Sequence, residues 1–285
     1  MSIRRRRSAL YVPASHARAV EKTRTLPCDV VILDLEDAVA PEAKVQAREQ
    51  VAAALRAGGF GQRELVVRVN GLDTAWGAAD LDAVIAAAPA AILVPKIARR
   101  ADLRPYEQRL AAMPGVALWA MIETARSIFH VEEIAAAALE GPLTVLVAGT
   151  NDLAKEACCR LDGARQPLLG ALAQIVLGAR AYGLAVLDGV FNALDDHDGL
   201  VVQCRQGRDF GFDGKTLIHP AQIEPCNAVF TPDAAETETA RRIVAAFAAP
   251  ENAGKGVLRV DGQMVERLHL LQAQRTLAMA GLDTV

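Results

Sequence analysis

A chain of 285 residues that is 52% hydrophobic can bury a large core, and aromatics at only 4% make that core aliphatic and alanine-filled. A net charge of −3 and a pI near 6.0 argue against nucleic acid as the main partner, and no apolar run reaches the roughly 18 residues of a membrane span. Five cysteines (Cys28, Cys158, Cys159, Cys204, Cys226) without a CxxC pair point to a reducing, cytoplasmic compartment, with neither a disulfide framework nor a zinc site.

In chain order, Arg4 to Arg7 is a basic run read as a solvated face, and Ser8 to Val12 is a short strand closed by Pro13. Ala14 to Leu26 has helical spacing. Asp29 to Leu35 (DVVILDL) is a β-branched run of the kind buried on both faces of a parallel sheet, and it ends in Glu36 and Asp37. Pro41 opens a helix through about Arg56. Glu64 to Val69 is the third strand, and Asp73 or Thr74 caps a helix to about Ala88. Ala90 to Val94 is the fourth, closed by Pro95 and Lys96, with a helix to about Met113. Val116 to Ile122 and Leu143 to Ala148 are the fifth and sixth, joined by one alanine-rich amphipathic crossover. A helical region broken near Gly163 to Pro167 runs to about Tyr182. Leu184 to Leu187 leads into Asp188, Gly189 and Asn192, then a helix to about Gly211, and Asp213 to Ile218 is the eighth strand before His219 and Pro220.

Eight short apolar runs alternating with helices are the pattern of a (β/α)8 TIM barrel. The competing doubly wound sheet lacks its Gly-rich fingerprint after the first strand. A P-loop at Gly214-Lys215-Thr216 fails because Asp209 stands where its first glycine is required. After Ala228 the pattern changes. Asp233 to Ala249 is a helix, Gly256 to Val260 is extended and Val265 to Ala280 is a terminal helix, so the chain divides into a barrel domain, 1–230, and a C-terminal helical extension, 231–285.

Glu123 and Asp152 end two strands joined by a crossover, so both emerge at one end of the sheet. Side by side they suit a hard divalent cation; singly, they could be an early-turn acid and an N-cap. The barrel weighs for function, because active sites lie at the C-terminal strand ends. Those ends carry Glu36, Asp37, Arg68, Lys96, Glu123, Asp152 and Asp188, more charge than solubility needs.

LYVPASHARAVEK, DVVILDLEDAV, VRVN, VPKI, MIETARSI, GTNDLA, GKTLIHPAQI and VDGQMVERLHLLQAQRTLA together resemble the citrate lyase β-subunit-like (HpcH/HpaI aldolase) superfamily, in the family's order over nearly the whole chain. The resemblance implies a TIM barrel, a homo-oligomer, usually a trimer, and Mg2+. It also implies reversible cleavage of a malyl-CoA-like or citramalyl-CoA-like thioester to acetyl-CoA and a 2-oxo acid, glyoxylate or pyruvate. A malyl-CoA thioesterase and a citrate lyase β subunit acting on an acyl carrier are the alternatives. It puts the metal ligands on Glu123 and Asp152. Arg68 then holds the acid's carboxylate or carbonyl oxygen and meets the enolate charge. Glu36 and Asp37 orient metal-bound water and the arginine, with Lys96 in support. Arg18 and Lys22 approach the CoA phosphates, and the amides around Gly149 and Thr150 bind the keto-acid carboxylate. His219 closes the eighth strand structurally. CoA-dependent relatives carry an acid/base aspartate in the terminal motif. Here that position is Glu266, one methylene longer, with Asp261 as a second candidate.

Overall fold

The computed structural model describes residues 4–282, so residues 1–3 and 283–285 of the two expected domains lie outside the described residues. Residues 6–227 form one compact unit; residues 228–282, with Arg4 and Arg5, form another.

The first unit is a (β/α)8 TIM barrel. Its parallel strands β1 (Ser8–Pro13), β2 (Val30–Asp34), β3 (Glu64–Arg68), β4 (Ala91–Val94), β5 (Ala117–Ile122), β6 (Leu143–Ala148), β7 (Ala185–Asp188) and β8 (Gly214–Leu217) pair in sequence order. β8 closes back on β1 through Ser8 opposite Lys215 and Leu10 opposite Leu217. Helices α1 (Ala17–Lys22), α2 (Lys44–Ala57), α3 (Gly77–Ala87), α4 (Arg104–Leu110), α5 (Ala125–Phe129), α6 (Val131–Ala135), α7 (Thr150–Glu156), α8 (Leu169–Ala181) and α9 (His197–Phe210) lie between the strands, and α10 (Ile223–Phe230) follows β8.

Side chains alternate across a strand. Ala9, Val30, Ile32, Val66, Ala91, Leu93, Trp119, Met121, Val145, Val147 and Leu187 therefore fill the lumen as one buried cluster. The alternate set, such as Val31, Leu33 and Val67, is buried outside the lumen. Each strand hence reads as a continuous apolar run, and only parity separates the lumen from the helix side.

Several boundaries differ from the sequence reading. α1 is shorter than Ala14 to Leu26; it stops at Lys22, where the Thr23 hydroxyl turns onto the Val20 carbonyl, 2.6 Å away. The crossover after β5 is no single helix. His130 leaves the helical region (φ −118°, ψ 11°) between α5 and α6, and a short 3-10 turn follows. Neither Asp73 nor Thr74 is the N-cap of α3. That helix starts at Gly77, where a Cβ would lie 2.1 Å from the Gly71 carbonyl oxygen. Arg6 and Arg7 are not a solvated face. They hold Glu64 (2.6 Å) and Asp29 (2.7 Å), beside the starts of β3 and β2.

In the second unit α11 (Ala234–Ala248) and α12 (Arg267–Ala280) pack through Ala240, Ala273 and Leu277. Between them β9 (Val257–Val260) and β10 (Gln263–Glu266) form an antiparallel hairpin. β10 begins where the sequence reading placed turn and helix. Asp261 and Gly262 both have positive φ, the demand of a two-residue hairpin turn that Asp-Gly meets. Among the described residues no helix is long and apolar enough to cross a membrane.

Candidate active site

Lumen parity carries past the apolar layers to the C-terminal strand ends, where Asp34, Arg68 and Glu123 continue the rows of Ile32, Val66 and Met121. They line a cavity of about 290 Å³ with Tyr11, Asp37, Gly149, Thr150, Asp152 and Thr216 among its other walls.

Arg68 is buried and its charge is heavily met. Nε and Nη2 form a bidentate pair with Asp34 at 2.7 and 2.6 Å. Nη1 lies 2.9 Å from Glu36 Oε2, an ion pair without hydrogen-bond alignment, and 3.6 Å from Asp37. Burial alone would lower the guanidinium's pKa, but Asp34 holds it well above the ordinary value. Glu36 in turn takes Lys96 Nζ at 2.6 Å. Burial pushes the Glu36 carboxyl up, against the pull of Arg68.

Glu123 stands at the centre. Its side chain is 1% exposed; Oε1 accepts the Lys96 N–H at 2.7 Å, and Oε2 has no partner among the described residues. Burial pushes this carboxyl up to about 8, with the Lys96 amide opposing and the Glu36 charge adding to the rise. Lys96 aims its amide through a left-handed φ of 55°. Gly149 makes room on the other side, where a Cβ would stand 2.4 Å from Glu123 Cβ and Oε2. Gly149→Ala is therefore expected to cost about 1–3 kcal/mol in urea unfolding, because the displaced atoms are packed and buried.

Asp152 lies in the first turn of α7 and lines the cavity, so it is not the N-cap; Thr124, and not Glu123, caps α5. The Gly149 N–H is spent on the Ile122 carbonyl (3.0 Å), which moves the start of any anion-binding amides to Thr150. Asp188 departs from the rim altogether. Leu187 faces the lumen, so Asp188 faces α9, fully buried, with Arg165 at 2.6 Å and Lys215 at 3.0 Å. Burial would raise its pKa, and those two cations hold it below the carboxylate range. Lys215 thus has a buried structural partner and nothing to offer a phosphate.

Arg18 and Lys22 are exposed on α1. Glu266 ends β10 in the second unit, its N–H donating to His269 Nδ1 at 2.9 Å, and Asp261 pairs with Arg242 at 2.9 Å. His219, just past β8, accepts the Ala221 N–H at Nδ1, 3.2 Å away. Asp34, Tyr11 and Met121 had no part in the sequence reading. Asp34 could have been found as the charged residue continuing a lumen row.

Among the described residues no three His, Cys, Asp or Glu side chains come together as a metal set. Two carboxylates do suit Mg2+, which keeps several waters and takes one or two carboxylates plus substrate oxygens. The unpartnered Glu123 Oε2 is the atom that such an ion would satisfy.

The family model for HpcH/HpaI aldolase/citrate lyase matches residues 7–220. A (3S)-malyl-CoA thioesterase of Cereibacter sphaeroides is 51% identical over 274 residues, 96% of this chain and 94% of its own. The citrate lyase subunit beta of Leuconostoc mesenteroides is 33% identical over 98% and 95%. Among solved structures, protein CitE from Mycobacterium tuberculosis in complex with magnesium, acetoacetate and coenzyme A is 31% identical. It aligns over 96% of this chain and 97% of that one with a TM-score of 0.77.

Proposed function

We propose, for a chain that belongs to the HpcH/HpaI aldolase/citrate lyase family, that the barrel mouth takes a malyl-CoA-like or citramalyl-CoA-like thioester together with Mg2+. The observation that carries this is Glu123, a buried carboxyl with one free oxygen, sharing a cavity with Asp152 and Arg68. Support for the ligands comes from the CitE neighbour, which was crystallised with magnesium and coenzyme A.

The chain is an enzyme of a carbon–carbon lyase family. Two bonds of such a substrate can break, the C–S bond of the thioester or the C–C bond that releases acetyl-CoA and a 2-oxo acid. The 51% identical thioesterase, matched over nearly its whole length, puts hydrolysis first, ahead of the C–C cleavage that leads the sequence reading. Relationship to citrate lyase subunit beta keeps C–C cleavage as the second reading.

Glu123 and Asp152 would hold the cation, which supplies Lewis-acid polarisation of a substrate oxygen. The amides from Thr150 onward, at the α7 start, take the substrate carboxylate. Arg68, fixed by Asp34, keeps one face toward the cavity. Glu36 and Lys96 hold the Arg68 and Glu123 geometry from the rim. Arg18 and Lys22 meet the CoA phosphates, and Glu266 of another copy in a homo-oligomer moves the proton.

The test is incubation of the purified protein with Mg2+ and racemic malyl-CoA or citramalyl-CoA, products identified by mass. Free CoA with malate or citramalate is the expected result. Acetyl-CoA with glyoxylate or pyruvate moves C–C cleavage to first place. No turnover of either thioester overturns the assignment.

A further inference from the structure

Two strong hydrogen-bond donors in the cavity converge on one weak acceptor. The Tyr11 hydroxyl is directed at Met121 Sδ, 3.9 Å away, and Arg68 Nη1 donates to the same sulfur at 3.7 Å. A thioether accepts poorly, and a part-buried phenol ordinarily finds an oxygen. The other Arg68 N–H groups in use go to Asp34. The two donors form one unit, because the guanidinium carbon lies 4.8 Å from the Tyr11 ring centroid.

We propose that the Tyr11 hydroxyl is a second donor, beside the Arg68 Nη1 already expected there, to the thioester carbonyl oxygen of the substrate, with the Met121 sulfur holding the place until that oxygen arrives. This rests on the thioester reading above and deepens it. The hole is indifferent to which bond breaks. Addition of water moves the carbonyl pair onto that oxygen, and C–C cleavage leaves the same oxygen as the enolate oxygen of acetyl-CoA. Tyr11 donates a hydrogen bond only; no proton leaves it.

Asp34, Glu36 and Asp37 all lie within 3.6 Å of the Arg68 guanidinium, and Lys96 pairs with Glu36. A carbonyl oxygen enters neutral and gains charge only as the bond breaks, so the donors bind the transition state better than the ground state. Burial, opposed by Arg68, pushes the phenol well above its ordinary range, and it stays a donor across the working pH.

Tyr11→Phe keeps the ring on Arg68 and removes the donor. kcat is expected to fall about 100-fold, the scale of one lost oxyanion donor, while KM and the urea midpoint stay near wild type. A kcat within roughly threefold of wild type would overturn the hole. Should wild type turn over neither thioester, acetoacetyl-CoA with Mg2+ tests the hole separately, its enolate band read in the near ultraviolet. Wild type is then expected to raise the enolate fraction, and Tyr11→Phe to cut that effect roughly tenfold, the weight of one charged hydrogen bond. Equal bands in the two proteins overturn the proposal.

Discussion

The metal-free protein is expected to lose stability as pH rises from about 5 to about 8, and Glu123→Gln is expected to remove most of that loss. Unfolded, this carboxyl titrates near 4.5; buried in the folded chain it is pushed up to about 8. Between those values the unfolded chain has released a proton that the folded chain keeps, so the unfolding free energy falls with pH. Below about 4.5 both states hold the proton and the loss vanishes; above about 8 it is complete. A shift of this size corresponds to at most on the order of 4–5 kcal/mol. Glu36, also raised, adds in the same direction.

Mg2+ reverses the sign. Its binding needs the carboxylate, so affinity is expected to rise about tenfold per pH unit up to about 8, and saturating Mg2+ should restore stability at pH 8–9. Glu123→Gln keeps the Oε1 contact to Lys96 and the shape, yet should lose both the Mg2+ stabilisation and nearly all turnover. Urea unfolding at pH 5, 7 and 9, with and without Mg2+, reads every part of this. Identical pH slopes in wild type and Glu123→Gln would show that Glu123 is ionised in the free protein.

The barrel was legible because eight apolar runs of strand length recur between helical stretches, and DVVILDL or AAILV can be little else. Arg68, Glu123 and Asp152, read at or just past strand ends, do share one cavity. What strand-end position alone cannot supply is parity. Asp188 ends its strand much as Glu123 follows its own, yet one residue of phase turns it away from the lumen, toward Lys215 and Arg165. The same alternation, counted from Val30 and Ile32, puts Asp34 in the lumen beneath Arg68. Tyr11 was hidden for another reason. In SALYVP its ring reads as one more apolar residue, and its hydroxyl gains meaning only once β1 and β5 face each other across the lumen. The hairpin of β9 and β10 was in plain text, since Asp261-Gly262 between extended segments is a two-residue turn signal. A helical pattern just beyond it drew β10 into α12.

Removal of the Asp188 carboxylate is expected to be the most damaging single change to the fold. Arg165 and Lys215 are 1% and 0% exposed. Asp188→Ala would leave both cations buried without a counter-charge, a loss of about 3–5 kcal/mol, or on the order of 10 °C in Tm for a chain of this size. Asp188→Asn keeps the shape but not the charge and should fall in between. The pair of cations is tied in further, for Lys215 also donates to Gln203 Oε1 (2.7 Å) and to the Gly189 carbonyl, and Arg165 reaches Gln206 at 2.8 Å. Replacing all three charges together, Arg165→Met, Asp188→Leu and Lys215→Met, should recover most of the lost stability, since a buried ion network adds little net free energy over packed apolar groups. If the triple variant is no more stable than Asp188→Ala, the charges themselves hold the barrel closed. Recovered stability with impaired turnover would instead assign the network to position. Gly189 packs on Thr150, where a Cβ would meet the Thr150 hydroxyl oxygen at 2.4 Å, and Thr216 binds the Asp188 carbonyl while lining the cavity. On that outcome the buried ions set the placement of the cavity wall, and their worth lies in geometry more than in folding free energy.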